Sequence, residues 1–167
     1  MSAVRIRRLI PGDRALARAL FVMMAEVFEE ARAPLGDGYL DRLLARDDFW
    51  AIAAVTVGVV DASDMADDVG GAVVGGLTAH TLPMTRAEAS EVFLYDIAVR
   101  GDWQRRGIGG QLVRALRDSA AAAGCHEVFV AADNDDGHAL DFYRALGGAE
   151  APVTMFMFSR EPTKPGG

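Results

Sequence analysis

The run Val92-Phe93-Leu94-Tyr95-Asp96-Ile97-Ala98-Val99 constrains this chain more than any other segment. It is apolar on both faces of an extended chain, so both faces must be covered, and the strand from Glu91 to Val99 belongs at the centre of a sheet. The rest of the chain then has to supply covering layers on either side. Asp96 is the single charge inside the run.

Those layers can be read from period and punctuation. Val4 to Leu9 alternates apolar and basic residues as a half-buried strand does, and Pro11-Gly12-Asp13 stops it and offers Asp13 as a helix cap. From Ala15 to Ala31, Leu16, Leu20, Met23, Met24, Val27 and Phe28 fall on one helical face. Pro34 and Gly36 break that helix, and Tyr39 to Arg46 forms a second, short one. Phe49 to Val60 and Ala72 to Leu82 read as a long antiparallel hairpin, joined by the polar acidic stretch 61–68 on the surface. A helix over Ile108 to Ala123 ends at Gly124, and Glu127 to Ala132 is a strand. A helix over Gly137 to Leu146 ends at Gly147-Gly148, Val153 to Phe158 supplies a last strand, and the tail 161–167 is expected to be mobile. The order β, α, α, β, β, β, α, β, α, β describes one mixed α/β (α+β) domain over 1–160, with no internal repeat or linker.

Composition narrows the class. The 167 residues carry 17 Lys plus Arg against 24 Asp plus Glu, a net charge of -7, which is ordinary for a soluble domain and disfavours nucleic acid as a partner. No apolar stretch approaches the roughly 18 residues of a membrane span, and no apolar h-region follows the first basic residues, so a cytoplasmic protein without membrane partners is expected. Cys125 is the only cysteine, which excludes an internal disulfide and reads as a small buried hydrophobe. His80, His126 and His138 are too scattered for a metal site or a Ser-His pair, and none receives a role.

After Val99 comes Arg100-Gly101-Asp102-Trp103-Gln104-Arg105-Arg106-Gly107-Ile108-Gly109-Gly110, with a helix starting inside it. Strand, glycine-rich loop and helix make an anion-binding arrangement: the backbone turns tightly and the unpaired N–H groups of the first helical turn face the ligand. A P-loop would need Gly-Lys-Ser/Thr, whereas Gly109 is followed by Gly110-Gln111-Leu112. The dinucleotide pattern fails too, because Leu112 stands where its third glycine belongs and the upstream hairpin opposes a doubly wound sheet.

The segment Gln104-Arg105-Arg106-Gly107-Ile108-Gly109 resembles the Arg/Gln-x-x-Gly-x-Gly/Ala signature of the Gcn5-related N-acetyltransferases (GNAT). The late helix Ala139-Leu140-Asp141-Phe142-Tyr143-Arg144-Ala145-Leu146-Gly147 is similar to that superfamily's alanine, aromatic-tyrosine and Leu-Gly pattern. The resemblance implies a mostly antiparallel mixed sheet flanked by helices and splayed at the strand ending near Val99, with acetyl-CoA in the split. It implies that backbone groups of Ile97, Ala98 and Val99 hold the pantetheine, and that Gln104, Arg105, Arg106, Gly107, Ile108, Gly109 and Gly110 hold the pyrophosphate. It further implies that Tyr143 gives a proton or hydrogen bond to the departing thiolate. Many members carry an asparagine seven residues before this tyrosine; Asp136 stands there, at a cofactor-binding position that also suits a helix cap.

Leu43-Leu44, Phe49, Ala53-Ala54, Leu82-Pro83, Ser90 to Val99 and Ala132-Asp133 extend the resemblance, from Met23 to Gly147, to the gentamicin-type aminoglycoside 3-N-acetyltransferases. Gly137-His138 departs from the acidic-proline pair usual there. That family implies direct acetyl transfer to a polycationic aminoglycoside, an antibiotic-resistance activity. The acceptor amine must lose a proton before attack, and Asp96 suits either a base or a cation anchor. Glu91, Tyr95, Asp133 and Glu150 are the other candidate acceptor contacts. A polyamine, small metabolite amine or peptide amine would suit the same acidic cleft, and a non-catalytic acyl-CoA sensor would keep the fold without turnover. No metal is expected, and a homodimer is compatible with the family.

Overall fold

A computed structural model describes residues 3–30, 33–57 and 71–158. The expected surface connection 61–68 and the tail 161–167 lie outside these residues. The elements are β1 (Val4–Arg8), α1 (Arg14–Val27), α2 (Asp37–Leu44), β2 (Phe49–Thr56), β3 (Val73–Pro83), β4 (Ser90–Val99), α3 (Ile108–Ala122), β5 (Glu127–Val130) and α4 (Gly137–Ala145), with a 3-10 turn at Gly101–Trp103. The chain divides into two compact units, Met1–Ala131 and Ala132–Gly167.

The first unit is a five-stranded sheet in the order β1-β2-β3-β4-β5, antiparallel except for the parallel β4–β5 pair. One face packs on α1 and α2 through Leu20, Met23, Met24, Leu40, Phe49, Ala51, Ala53 and Ala98. Leu77, Leu94, Ile108, Leu112 and Leu116 are buried on the α3 side of the structure. A Cβ on Gly76 would lie 2.2 Å from Leu20 Cδ1 and 2.7 Å from the Ile52 carbonyl oxygen, so only glycine lets α1 sit this close to the sheet. Among the described residues no helix is long and apolar enough to cross a membrane.

Two local features depart from what the sequence predicts. Asp13 precedes α1 but its side chain does not cap it; the carboxylate accepts the Ile10 N–H at 2.8 Å and pairs with Arg7 at 2.6 Å, closing the turn backward instead. Helix α1 stops at Val27 rather than Ala31, because Glu29 adopts a left-handed φ of 56° and the Glu30 N–H returns to the Ala25 carbonyl at 2.9 Å.

The second unit is built on α4, which ends where Gly147 takes a φ of 83° and Gly148 donates to the Tyr143 carbonyl at 3.0 Å. Val153–Phe158, expected as a strand, forms none: Val153 is 77% and Phe158 96% exposed, and no backbone group of 151–158 bonds to another described backbone group. A β-rich composition yields a strand only where a partner edge receives it.

Candidate active site

The site is built around an irregularity in β4. β3 and β4 pair residue for residue from Pro83↔Ser90 to Ala79↔Leu94, but the next pair is Thr78↔Asp96. Tyr95 is therefore an extra residue, a bulge that reverses which face the following side chains take. It turns Asp96 onto the α1 face beside Thr78 and leaves Tyr95 61% exposed. Pairing with β5 stops at the same place, since Leu94↔Val130 is its last pair. Beyond it, one edge of Tyr95 to Val99 has no strand partner among the described residues, and this is the expected splay.

The backbone alternates along that open edge. The Arg100 N–H donates to the Val74 carbonyl at 2.9 Å, so by strand alternation the Ala98 groups also face β3, while the Ile97 and Val99 groups face the gap. The Val99 carbonyl accepts from Gln104 Nε2 at 3.0 Å, which fixes the loop to the strand end. Of the three expected pantetheine contacts, Ile97 and Val99 are thus presented by the backbone and Ala98 is engaged in the ladder.

The loop supplies the anion-binding half. Gly107 has a φ of 76° and Arg105 a φ of 61°, which costs a side-chain-bearing residue about 1–2 kcal/mol. Arg106 is held over the Trp103 ring at 4.7 Å and donates to the Asp102 carbonyl at 2.8 Å. Arg100 pairs with Asp102 at 3.0 Å. No side chain among the described residues caps α3 and no acid stands in its first turn, so the N–H groups of Ile108, Gly109 and Gly110 remain available at the positive end of the helix. Uncapped amides beside an open strand edge fit a ligand that carries both phosphates and amide groups.

Asp96 is partly buried, and neither carboxylate oxygen has a hydrogen-bond or ion-pair partner among the described residues. It is not a structural acid tied to a local donor. Since no fully buried side-chain oxygen is left unpaired, its oxygens remain accessible. Burial raises its pKa above the ordinary carboxylate value, Glu30 at the end of α1 raises it further, and His80 pulls it down. His80 is the residue that sequence reasoning passed over. Its ring lies 5.4 Å from Phe49 and 5.6 Å from Tyr95, centroid to centroid, on the Asp96 face of the sheet.

The other candidates fall elsewhere. Glu91 sits five residues back along β4, opposite Leu82, about 15 Å from Asp96. In the second unit, Asp133 accepts the Asp135 N–H at 2.9 Å in a turn, and Glu150 accepts from Arg144 Nε at 2.7 Å. Asp136 caps α4, accepting the Ala139 N–H at 3.0 Å. Tyr143 packs against Phe142 with ring centroids 5.0 Å apart. Burial, and secondarily Asp136, push its phenol pKa up, so it holds its proton through the neutral range. Cys125 is buried as expected, and no group of three or more metal-binding side chains occurs among the described residues.

A splayed mixed sheet with an uncapped loop-to-helix turn at the split defines an acyl-CoA type of transferase fold. The model of the acetyltransferase (GNAT) family matches residues 23–147, and the chain belongs to that family, whose members use acetyl-CoA. An aminoglycoside acetyltransferase from an uncultured soil metagenomic sample, solved in complex with sisomicin, is 31% identical with a TM-score of 0.82, over 95% of this chain and 97% of that one. A second aminoglycoside acetyltransferase from such a sample is 30% identical with a TM-score of 0.80, over 95% and 99%. The ribosomal-protein-alanine N-acetyltransferase of Brucella melitensis biovar Abortus 2308 shares the fold at 22% identity, with a TM-score of 0.69 over 95% and 100%. A comparison with curated proteins returned no match.

Proposed function

We propose that this GNAT acetyltransferase transfers the acetyl group of acetyl-CoA to an amine of an aminoglycoside, with the 3-amino group of the deoxystreptamine ring as its position. The observation that carries this reading is Asp96: an accessible carboxylate without a hydrogen-bond or ion-pair partner among the described residues, aimed by the Tyr95 bulge beside the open end of β4. An unpaired, partly desolvated carboxylate is a receptor for a cation, and an aminoglycoside amine reaches the enzyme as an ammonium. The two soil-derived aminoglycoside acetyltransferases, at 31% and 30% identity, support the same acceptor class.

Acetyl-CoA brings a carbonyl activated by a good leaving group. The chain's residues do the rest. The α3 amides and the Gln104–Gly110 loop bind its phosphates, and Ile97 and Val99 hold the amide-bearing arm. Asp96 binds and orients the acceptor ammonium. A backbone N–H near Val99 stabilises charge developing on the carbonyl oxygen, and Tyr143 protonates the leaving sulfur, the role its family position implies. In this reading 1–160 act as one acetyltransferase domain, in the cytoplasm.

The test is acetylation of gentamicin followed by product NMR. An acetyl group on the 3-amine supports the full reading; acetylation at the 6′-amine keeps the enzyme and corrects its position. Turnover of spermidine or a lysine peptide in place of gentamicin transfers the same chemistry to another amine.

A further inference from the structure

The acceptor ammonium has to lose a proton before it attacks, and the accessible groups on the Asp96 face of the sheet point to where that proton goes. Thr78 lies opposite Asp96, and His80 is two residues further along β3 on the same face. His80 pairs directly with Phe93, and across the Tyr95 bulge it is close enough to Asp96 for the two charges to interact.

The imidazole is held for such a role. Phe49 of β2 packs on it at 5.4 Å and Tyr95 of the bulge meets it edge-on at 5.6 Å, so the ring is fixed by packing alone. Neither ring nitrogen has a hydrogen-bond partner among the described residues, and His80 is only partly buried. A clamped histidine and a carboxylate on the same sheet face, neither with a hydrogen-bond partner among the described residues, make a two-point receptor.

Resting on the acceptor class proposed above, we propose that His80 is the proton acceptor of this site: Asp96 anchors the reacting ammonium and the neutral His80 imidazole removes one of its protons. Of the three ammonium protons, one passes to the imidazole and on to solvent before the C–N bond forms. A second ends on the sulfur as the C–S bond breaks, and the third stays on the amide nitrogen. The acidic groups that interact with His80 are Asp48 at the start of β2 and Asp96 on β4, and Glu30 after α1 acts on Asp96.

The experiment measures kcat/KM for gentamicin from about pH 5.5 to 9 in the wild type, His80→Asn, His80→Gln and the exposed-surface control His126→Asn. Removing a general base costs about 10²-fold or more. Both His80 variants are expected to lose about 10²-fold at neutral pH and to lose the wild-type acid limb. Their deficit should shrink as pH rises and the free amine becomes abundant, while the Kd for acetyl-CoA and the profile of His126→Asn stay as in the wild type. A deficit that is constant across pH in a folded variant, or His80 variants within threefold of wild type, overturns the assignment and leaves the aminoglycoside reading standing. No CoA release by the wild type with gentamicin overturns both.

Discussion

Replacing Asp96 with Asn separates a functional carboxylate from a structural one, because the two make opposite predictions for stability. The Asp96 oxygens have no hydrogen-bond partner to lose among the described residues, and burial together with Glu30 raises the carboxyl pKa. A carboxyl whose folded pKa exceeds its unfolded value favours the folded state below the unfolded pKa, and that contribution is lost as pH rises through the folded pKa. At neutral pH the ionised Asp96 is therefore a small net liability to the fold, and Asp96→Asn should leave Tm unchanged or raise it by up to about 2 °C. Activity moves the other way. Removing the charge from a desolvated ion pair costs about 2–4 kcal/mol, or roughly 30- to 1000-fold in kcat/KM for gentamicin. Calorimetry with acetyl-CoA should return the wild-type Kd. A fall in Tm of several degrees with proportionate loss of acetyl-CoA binding would show that Asp96 holds the fold and refute its role as acceptor ligand.

Other outcomes follow from the same geometry. Tyr143→Phe should lower kcat about 10- to 100-fold with unchanged acetyl-CoA affinity, since its role begins when the thiolate leaves; unchanged kcat in a thiol-release assay contradicts it. Gly107→Val puts a branched side chain at a φ of 76° at the start of α3 and should raise the KM for acetyl-CoA at least about tenfold while sparing acceptor preference. Gly76→Ala drives a Cβ into Leu20 and should cost about 2 kcal/mol, a fall of about 4–8 °C in Tm by thermal melt. Glu30→Gln removes a charge that raises the Asp96 pKa, so any limb of the pH–rate profile belonging to Asp96 should move to lower pH.

The parts of this molecule legible in the sequence were those whose signals are local. The apolar run of β4 announced a covered strand, and Gly107-Ile108-Gly109 after it announced the loop that opens α3, because period and glycine chemistry act within a few residues. Asp136 was readable as a cap for the same reason. What pairing decides was not readable. The Tyr95 bulge exists only in the register with β3, and without it the side that Asp96 faces and its proximity to His80 cannot be read from either strand alone. His80 looked like one of three isolated histidines, since its neighbours Phe49 and Tyr95 are 31 and 15 residues away. Val153–Phe158 shows the converse error: its composition suits a strand, but hydrogen bonding needs a partner that composition cannot supply. Glu150 looked available for an acceptor until Arg144 claimed it.

The most direct test of the account is release of CoA thiol from acetyl-CoA by the wild-type protein, with gentamicin, spermidine and a lysine peptide as parallel acceptors. Turnover with gentamicin and little with the other two is expected. Silence with gentamicin alongside turnover of another amine would discard the acceptor and keep the acetyltransferase. Acetyl-CoA binding with silence for all three would contradict the catalytic reading and favour a sensor.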